Sequence, residues 1–201
     1  MSERASEAAR LVLADGTVFE GRAFGARGTT TGEAVFTTTM TGYQEVLTDP
    51  SYFGQIVVMT ASEIGNVGTN ADDAESVDGK PRAAGFVVRD ASPIASNWRS
   101  EEPLEAFLTR HGIVALEGID TRKLARHLRD HGAQNAAMGS EPAEVLARRA
   151  REAPLMSGLD LVKHVTPKSP YEWTEGRGVW ATDPSKKQGD REHKVVVVDF
   201  G

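Results

Sequence analysis

The segment KVVVVDFG, residues 194–201, constrains the fold more than any other stretch of this chain. Four consecutive valines ahead of Asp-Phe-Gly predict a strand buried on both faces, of the kind that opens a parallel sheet with helices above and below it. Such a strand needs neighbours, and no residues follow Gly201 to supply them. At 201 residues the chain can bury a proper core, and one domain plus a fragment or one and a half domains both fit its length.

The residues before it divide by hydrophobic period. RLVLADGTVFEGRAF (10–24) places Asp15-Gly16 between two alternating apolar runs, the signature of a hairpin. EAVFTTTMTG (33–42), QIVVMTA (55–61) and GFVVRD (85–90) continue the β-rich reading with Thr and Val. From Ser100 the period lengthens to that of helices: Leu104, Phe107 and Leu108 form one apolar stripe, and Leu124 and Leu128 another. Both stripes end in His-Gly, where glycine suits a left-handed C′ position and the imidazole sits near the negative helix end. GIVALEG (112–118) and QNAAMG (134–139) read as short strands. Ser140 is expected to cap a third helix, EPAEVLARRAREA, with Pro142 in its first turn. Residues 166–193 mix Pro, Gly and charge without periodicity, which suits a connector, and Trp173 and Trp180 are expected to anchor it against a domain surface.

Charge and composition remove several classes of function. Lys and Arg number 23 against 29 Asp and Glu, and the net charge of −6 argues against nucleic acid or an anionic membrane as partner. The basic stretches Arg122–Arg129 and Arg148–Arg151 read as solvated helix faces. MSERASEAAR has no apolar core of a signal peptide, and no apolar run approaches the ~18 residues of a membrane span, so a cytoplasmic location is expected. With no cysteine, these residues hold no disulfide, no thiolate metal site and no cysteine nucleophile.

Three stretches are candidates for chemistry. His127 and His131 have the i, i+4 spacing of two metal ligands on one helix face, but no HExxH pattern surrounds them, and the helix end already accounts for His131. GNVGTN (65–70) could turn backbone N–H groups toward an anion, yet it lacks GxGxxG and GKS/GKT, and a glycine-rich turn is the plainer reading. In TGYQEVLTDPSY (41–52), Pro50 at the second position of Asp49–Tyr52 predicts a type I turn that presents the Ser51 hydroxyl at an exposed bend. That hydroxyl could position a polar ligand or simply bond its own backbone, and no spacing marks an activating His or Asp. From the residues alone the chain is an α+β domain with a candidate ligand turn.

Taken in order, LADGTVFEGRAFG, GEAVFTTTMTGYQEVLTDPSYFGQIV, IGNVGTN, ASNWRS and GIVALEGIDTRKLARHLRDHGAQNAAM resemble the small, glutaminase subunit of glutamine-dependent carbamoyl phosphate synthase. The resemblance runs over most of residues 10–201. It implies a three-layer β/β/α domain at 10–140, a helix and interdomain connector at 141–193, and at 194–201 the first strand of a truncated class I amidotransferase α/β domain.

The resemblance further implies that the complete subunit hydrolyses L-glutamine with a Cys-His-Glu triad and passes ammonia to a large subunit, which makes carbamoyl phosphate for arginine and pyrimidine synthesis. No triad residue has a counterpart here, so no catalytic residue is assigned and the chain alone is expected to be inactive. Ser51 matches the serine that contacts glutamine at the domain interface in this family. No cofactor or metal is expected in this chain, and ATP, magnesium and bicarbonate belong to the large subunit, the expected partner. An alternative is a non-catalytic interaction module of a split or truncated subunit, docking on the large subunit or on a separate amidotransferase domain.

Overall fold

The computed structural model describes residues 7–174, 176 and 194–200. It divides into two compact units, Met1–Leu159 and Asp160–Gly201. In chain order the first contains β1 (Ala8–Leu13), β2 (Val18–Gly25), β3 (Thr30–Thr37), α1 (Tyr43–Thr48), β4 (Gln55–Met59), β5 (Glu63–Ile64), β6 (Gly85–Val87), β7 (Asp90–Ala91), α2 (Leu104–Arg110), β8 (Val114–Glu117), α3 (Thr121–His131), β9 (Gln134–Gly139) and α4 (Ala143–Glu152).

The Asp15-Gly16 hairpin forms as its sequence predicts, with Val12 opposite Val18 and Ala8 opposite Arg22. Leu13 N–H donates to the Thr17 carbonyl at 2.9 Å, and Gly16, at φ +91°, takes a backbone conformation that costs glycine least. From this hairpin the sheet runs β1-β2-β8-β6-β4-β3-β9 and closes, because β9 pairs β1 on one side and β3 on the other. The pairs β3/β4, β4/β6 and β6/β8 are parallel, and the rest of the barrel is antiparallel. The strands β8 and β9, read from the helix-rich second half, are inserted among the earlier strands. Where the resemblance implies a three-layer β/β/α unit, the strands of the barrel form one closed sheet, and β5 and β7 pair apart from it.

Side chains alternate between two sides of this sheet, as the strand period requires. Leu11, Phe19, Ala34, Ile56, Val87, Leu116 and Met138, one or more from each of the seven strands, share a single buried cluster, which is the barrel interior. Ile119 and the α3 residues Leu124 and Leu128 join it, so the apolar stripe of α3 closes the barrel. The intervening residues Val57, Met59, Phe86 and Ala115 face outward and are covered by Tyr43 and Leu47 of α1 and by Leu104, Phe107 and Leu108 of α2. Val12 and Ala137 pack under Leu146 and Ala150 of α4. Ser140 does not cap α4: the helix begins after Pro142, whose carbonyl accepts from Val145 and Leu146, leaving Ser140 two residues too early.

In the second unit the only helix among the described residues is the single turn α5 (Val162–Val165). Trp173 is 67% exposed, and Trp180 lies outside the described residues. Residues 194–200 form no strand, and Val195 to Val198 are all exposed. A valine run becomes a buried strand only through a hydrogen-bonded neighbour and covered faces, and among the described residues it has neither. Among the described residues no helix is long and apolar enough to cross a membrane.

Candidate functional site

The stretch around Ser51 is built from a short helix that hydrophobic periodicity does not reveal. Gly42, at φ +77°, turns the chain into α1, and α1 stops after six residues. It stops because Asp49 precedes proline, which disfavours helical ψ; Asp49 sits at ψ 122°. The residues Pro50–Tyr52 then make one 3-10 turn, in which Tyr52 N–H donates to the Asp49 carbonyl at 3.1 Å, the i to i+3 bond expected of the type I reading.

Asp49 Oδ1 accepts from the backbone N–H of Ser51 at 2.8 Å. The carboxylate is therefore spent on the backbone, and the Ser51 hydroxyl, exposed, makes no hydrogen bond among the described residues. This geometry presents the hydroxyl without activating it. It suits a group that donates to or accepts from a ligand, and not a nucleophile.

On its other side α1 organises the loop that contains GNVGTN. Tyr43 Oη donates to the Gly68 carbonyl at 2.6 Å. Gln44 bonds Asn70 twice, Nε2 to the carbonyl at 2.5 Å and Oε1 from the N–H at 2.9 Å. The Asn70 side chain donates to Asp73 at 2.7 Å, and Arg99 of ASNWRS holds Asp73 through two bonds of 2.7 and 3.1 Å. Three stretches distant in sequence are thereby joined. The anion-cradle reading of GNVGTN fails on its donors: the N–H groups of Gly68, Thr69 and Asn70 go to Gly65, Glu102 and Gln44. It is a glycine turn, with Gly65 and Gly68 both at positive φ. Tyr43, Gln44, Asn70 and Arg99 were not singled out in the sequence, because polar residues that bond only across long separations carry no local signal.

The two histidines have a structural use. His127 Nε2 meets Asp15 Oδ2 at 2.6 Å, and Gln134 Nε2 donates to the same oxygen at 3.1 Å, tying the hairpin turn to α3 and β9. Burial works against the charge of Asp15, but hydrogen bonds from Thr17, His127 and Gln134 outweigh it and hold the carboxyl well below its usual range. His131 stacks on His127 at 4.4 Å and places Nδ1 2.9 Å from the His127 carbonyl. No group of three His, Asp or Glu side chains among the described residues could hold a metal ion.

The family model for the carbamoyl-phosphate synthase small chain, CPSase domain, matches residues 11–138. The chain is 53% identical over 194 residues to the carbamoyl phosphate synthase small chain of Syntrophotalea carbinolica, covering 95% of this chain and 51% of the relative. It is 49% identical over 204 residues to that of Parasynechococcus marenigrum, covering 100% of this chain and 52% of the relative. To the small chain of Escherichia coli strain K12 it is 50% identical over 202 residues, covering 97% and 52%. The chain thus spans about half the length of the curated relatives it matches. A solved aminopeptidase from Aneurinibacillus sp. strain AM-1 aligns with TM-score 0.38 at 20% identity over 67% of this chain and 30% of that one, too distant to bear on the argument.

Proposed function

This chain belongs to the carbamoyl phosphate synthase small-chain family, and from that premise we propose that it is the N-terminal half of a glutaminase subunit. The reading rests on identity of about 50% to small chains along nearly the whole of this chain and only about half of each relative. In the completed subunit a Cys-His-Glu triad, carried by residues beyond those present here, hydrolyses the glutamine side-chain amide in the cytoplasm. The ammonia goes to a large subunit that holds ATP and magnesium and makes carbamoyl phosphate for arginine and pyrimidine biosynthesis. Ser51 hydrogen-bonds the glutamine, which its exposed, unengaged hydroxyl supports. Residues 194–200 become the first strand of the amidotransferase sheet once that sheet exists to pair with them.

The test is glutamine hydrolysis by the pure 201-residue chain and by the same chain continued with the second half of a relative's sequence. Turnover is expected only from the continued form. Turnover by the 201 residues alone, above a mock preparation, would overturn the assignment of the triad elsewhere.

A second reading, a non-catalytic interaction module, has its own observation. Trp98 and Ile94 are 80% and 69% exposed on a loop held in place by Arg99, a placement typical of an interface anchor. Under this reading Trp98→Ala weakens co-purification with the large subunit while a Ser51→Ala chain still binds. Equal capture of both variants and the parent chain counts against it.

A further inference from the structure

The exposed face of α3 borders a groove of about 530 Å³ that the glutaminase reading does not use. Its walls include Arg122, Arg126 and Arg129 on one side and Phe36, Thr38 and Thr60 on the other. Two independent features mark it.

The first is its place in the barrel. Thr38 directly follows the last residue of β3, and Thr60 the last residue of β4, two parallel strands running in the same direction. The groove therefore opens at their carboxyl ends. The strand ends are fastened there, since both the backbone N–H and the hydroxyl of Thr60 donate to the Thr37 carbonyl at 3.2 Å.

The second is charge. Positions 122, 126 and 129 lie at i, i+4 and i+7, on one stripe of the helix, so three like charges stand side by side where they repel. Arg129 is offset by Asp130 at 3.0 Å, whereas Arg122 and Arg126 make no ion pair among the described residues. The row is exposed, on a chain whose net charge is −6. Guanidinium forks match the planar or tetrahedral oxygens of carboxylate and phosphate, and the row extends about 10 Å along the helix axis. Phe36, 36% exposed, adds an apolar wall for the carbon skeleton between two charged ends.

We propose that this groove binds a small molecule with two oxyanion ends, with Arg122 and Arg126 holding one end, Arg129 the other, and the Thr38 hydroxyl available as a further donor. The site is separate from Ser51 and does not depend on the glutaminase reading.

The test is calorimetric titration of the full 201-residue chain with inorganic pyrophosphate and, separately, with succinate, with amide shifts followed by NMR. Saturable binding of at least one probe is expected, with shifts at Thr38, Thr60 and α3, and a loss of roughly tenfold or more in affinity in Arg122→Gln/Arg126→Gln, because charge-assisted bonds to an oxyanion are removed. The control Arg148→Gln, an exposed arginine of α4, is expected to bind as the parent does. Preference for pyrophosphate assigns the ends as phosphates, and preference for succinate assigns them as carboxylates. Circular dichroism of each variant establishes that it is folded. The proposal is overturned by the absence of saturable binding of either probe at millimolar concentration, or by equal weakening in both variants.

Discussion

Gln44 and Asn70 meet through both ends of one amide, the Gln44 Nε2 giving a bond to the Asn70 carbonyl at 2.5 Å and Oε1 taking one from the Asn70 N–H at 2.9 Å. A side chain here does what a neighbouring strand would do for the backbone of a loop. Gln44 is 4% exposed, so its removal leaves both Asn70 groups without a partner in a place water reaches poorly. Gln44→Leu is expected to lower stability by about 1–3 kcal/mol in urea unfolding, from the desolvation cost of unpaired polar groups. It is also expected to speed amide exchange at residues 68–73, and unchanged exchange there would refute the clamp.

Tyr43 adds a pH dependence at the alkaline end. Burial, with the nearby negative charge of Glu45, pushes its phenol up to about 12. The folded value lies above the ordinary one near 10, so its contribution is fully present below about pH 10 and is lost as pH rises through the folded value. A phenolate absorbance titration should show one tyrosine ionising near pH 12, absent from Tyr43→Phe. If instead Tyr43→Phe removes a step near pH 10, the hydroxyl is not buried against Gly68.

Asp15 acts at the acid end with the opposite sign. Its carboxyl is held below the usual range in the folded chain, so its contribution is present above about pH 4, the unfolded value, and fades as pH falls toward the folded one. The gap in urea midpoint between the parent and Asp15→Asn is expected to be steady near neutrality and to shrink below about pH 4. A gap that widens in acid would contradict the assignment.

Gly32 is expected to tolerate no side chain. A Cβ built there overlaps the carbonyl oxygen of Gly54, which is backbone and cannot swing aside. Gly32→Ala should cost roughly 1–3 kcal/mol, the usual range for overpacking, and shift the amide resonances of Ser51 to Gly54. Gly16→Ala has open space and meets only the penalty of its positive φ, so it should leave those resonances in place.

Ser51 and Asp49 separate function from fold in a single turn. Because Asp49 bonds the Ser51 backbone and not its hydroxyl, Ser51→Ala is expected to stay within about 0.5 kcal/mol of the parent. In the complete subunit the same change is expected to raise KM for glutamine. Asp49→Ala removes the cap and should cost about 1 kcal/mol with or without any ligand. A Ser51→Ala protein with an unaltered KM would remove Ser51 from the glutamine site.

Much of this chain was legible residue by residue. Local rules act over a few positions, so alternation identified β1 and β2, Thr and Val content identified β4 and β6, the Asp15-Gly16 dipeptide identified the first turn, and the stripes Leu104/Phe107/Leu108 and Leu124/Leu128 identified α2 and α3. The Ser51 bend was equally local, set by a proline and an Asx bond two residues apart. Helix α1 was not, because six residues are too few to show a period and its stability comes from Tyr43 and Gln44 reaching more than twenty positions away.

Barrel closure was beyond the sequence for the same reason. Leu11 faces Met138 across β1 and β9, and a contact spanning most of the first unit leaves no mark on either segment alone. The valines of 195–198 show the limit from the other direction. Their sequence states a preference for a buried strand, but pairing and burial are properties of neighbours, and only tertiary structure can provide or withhold those.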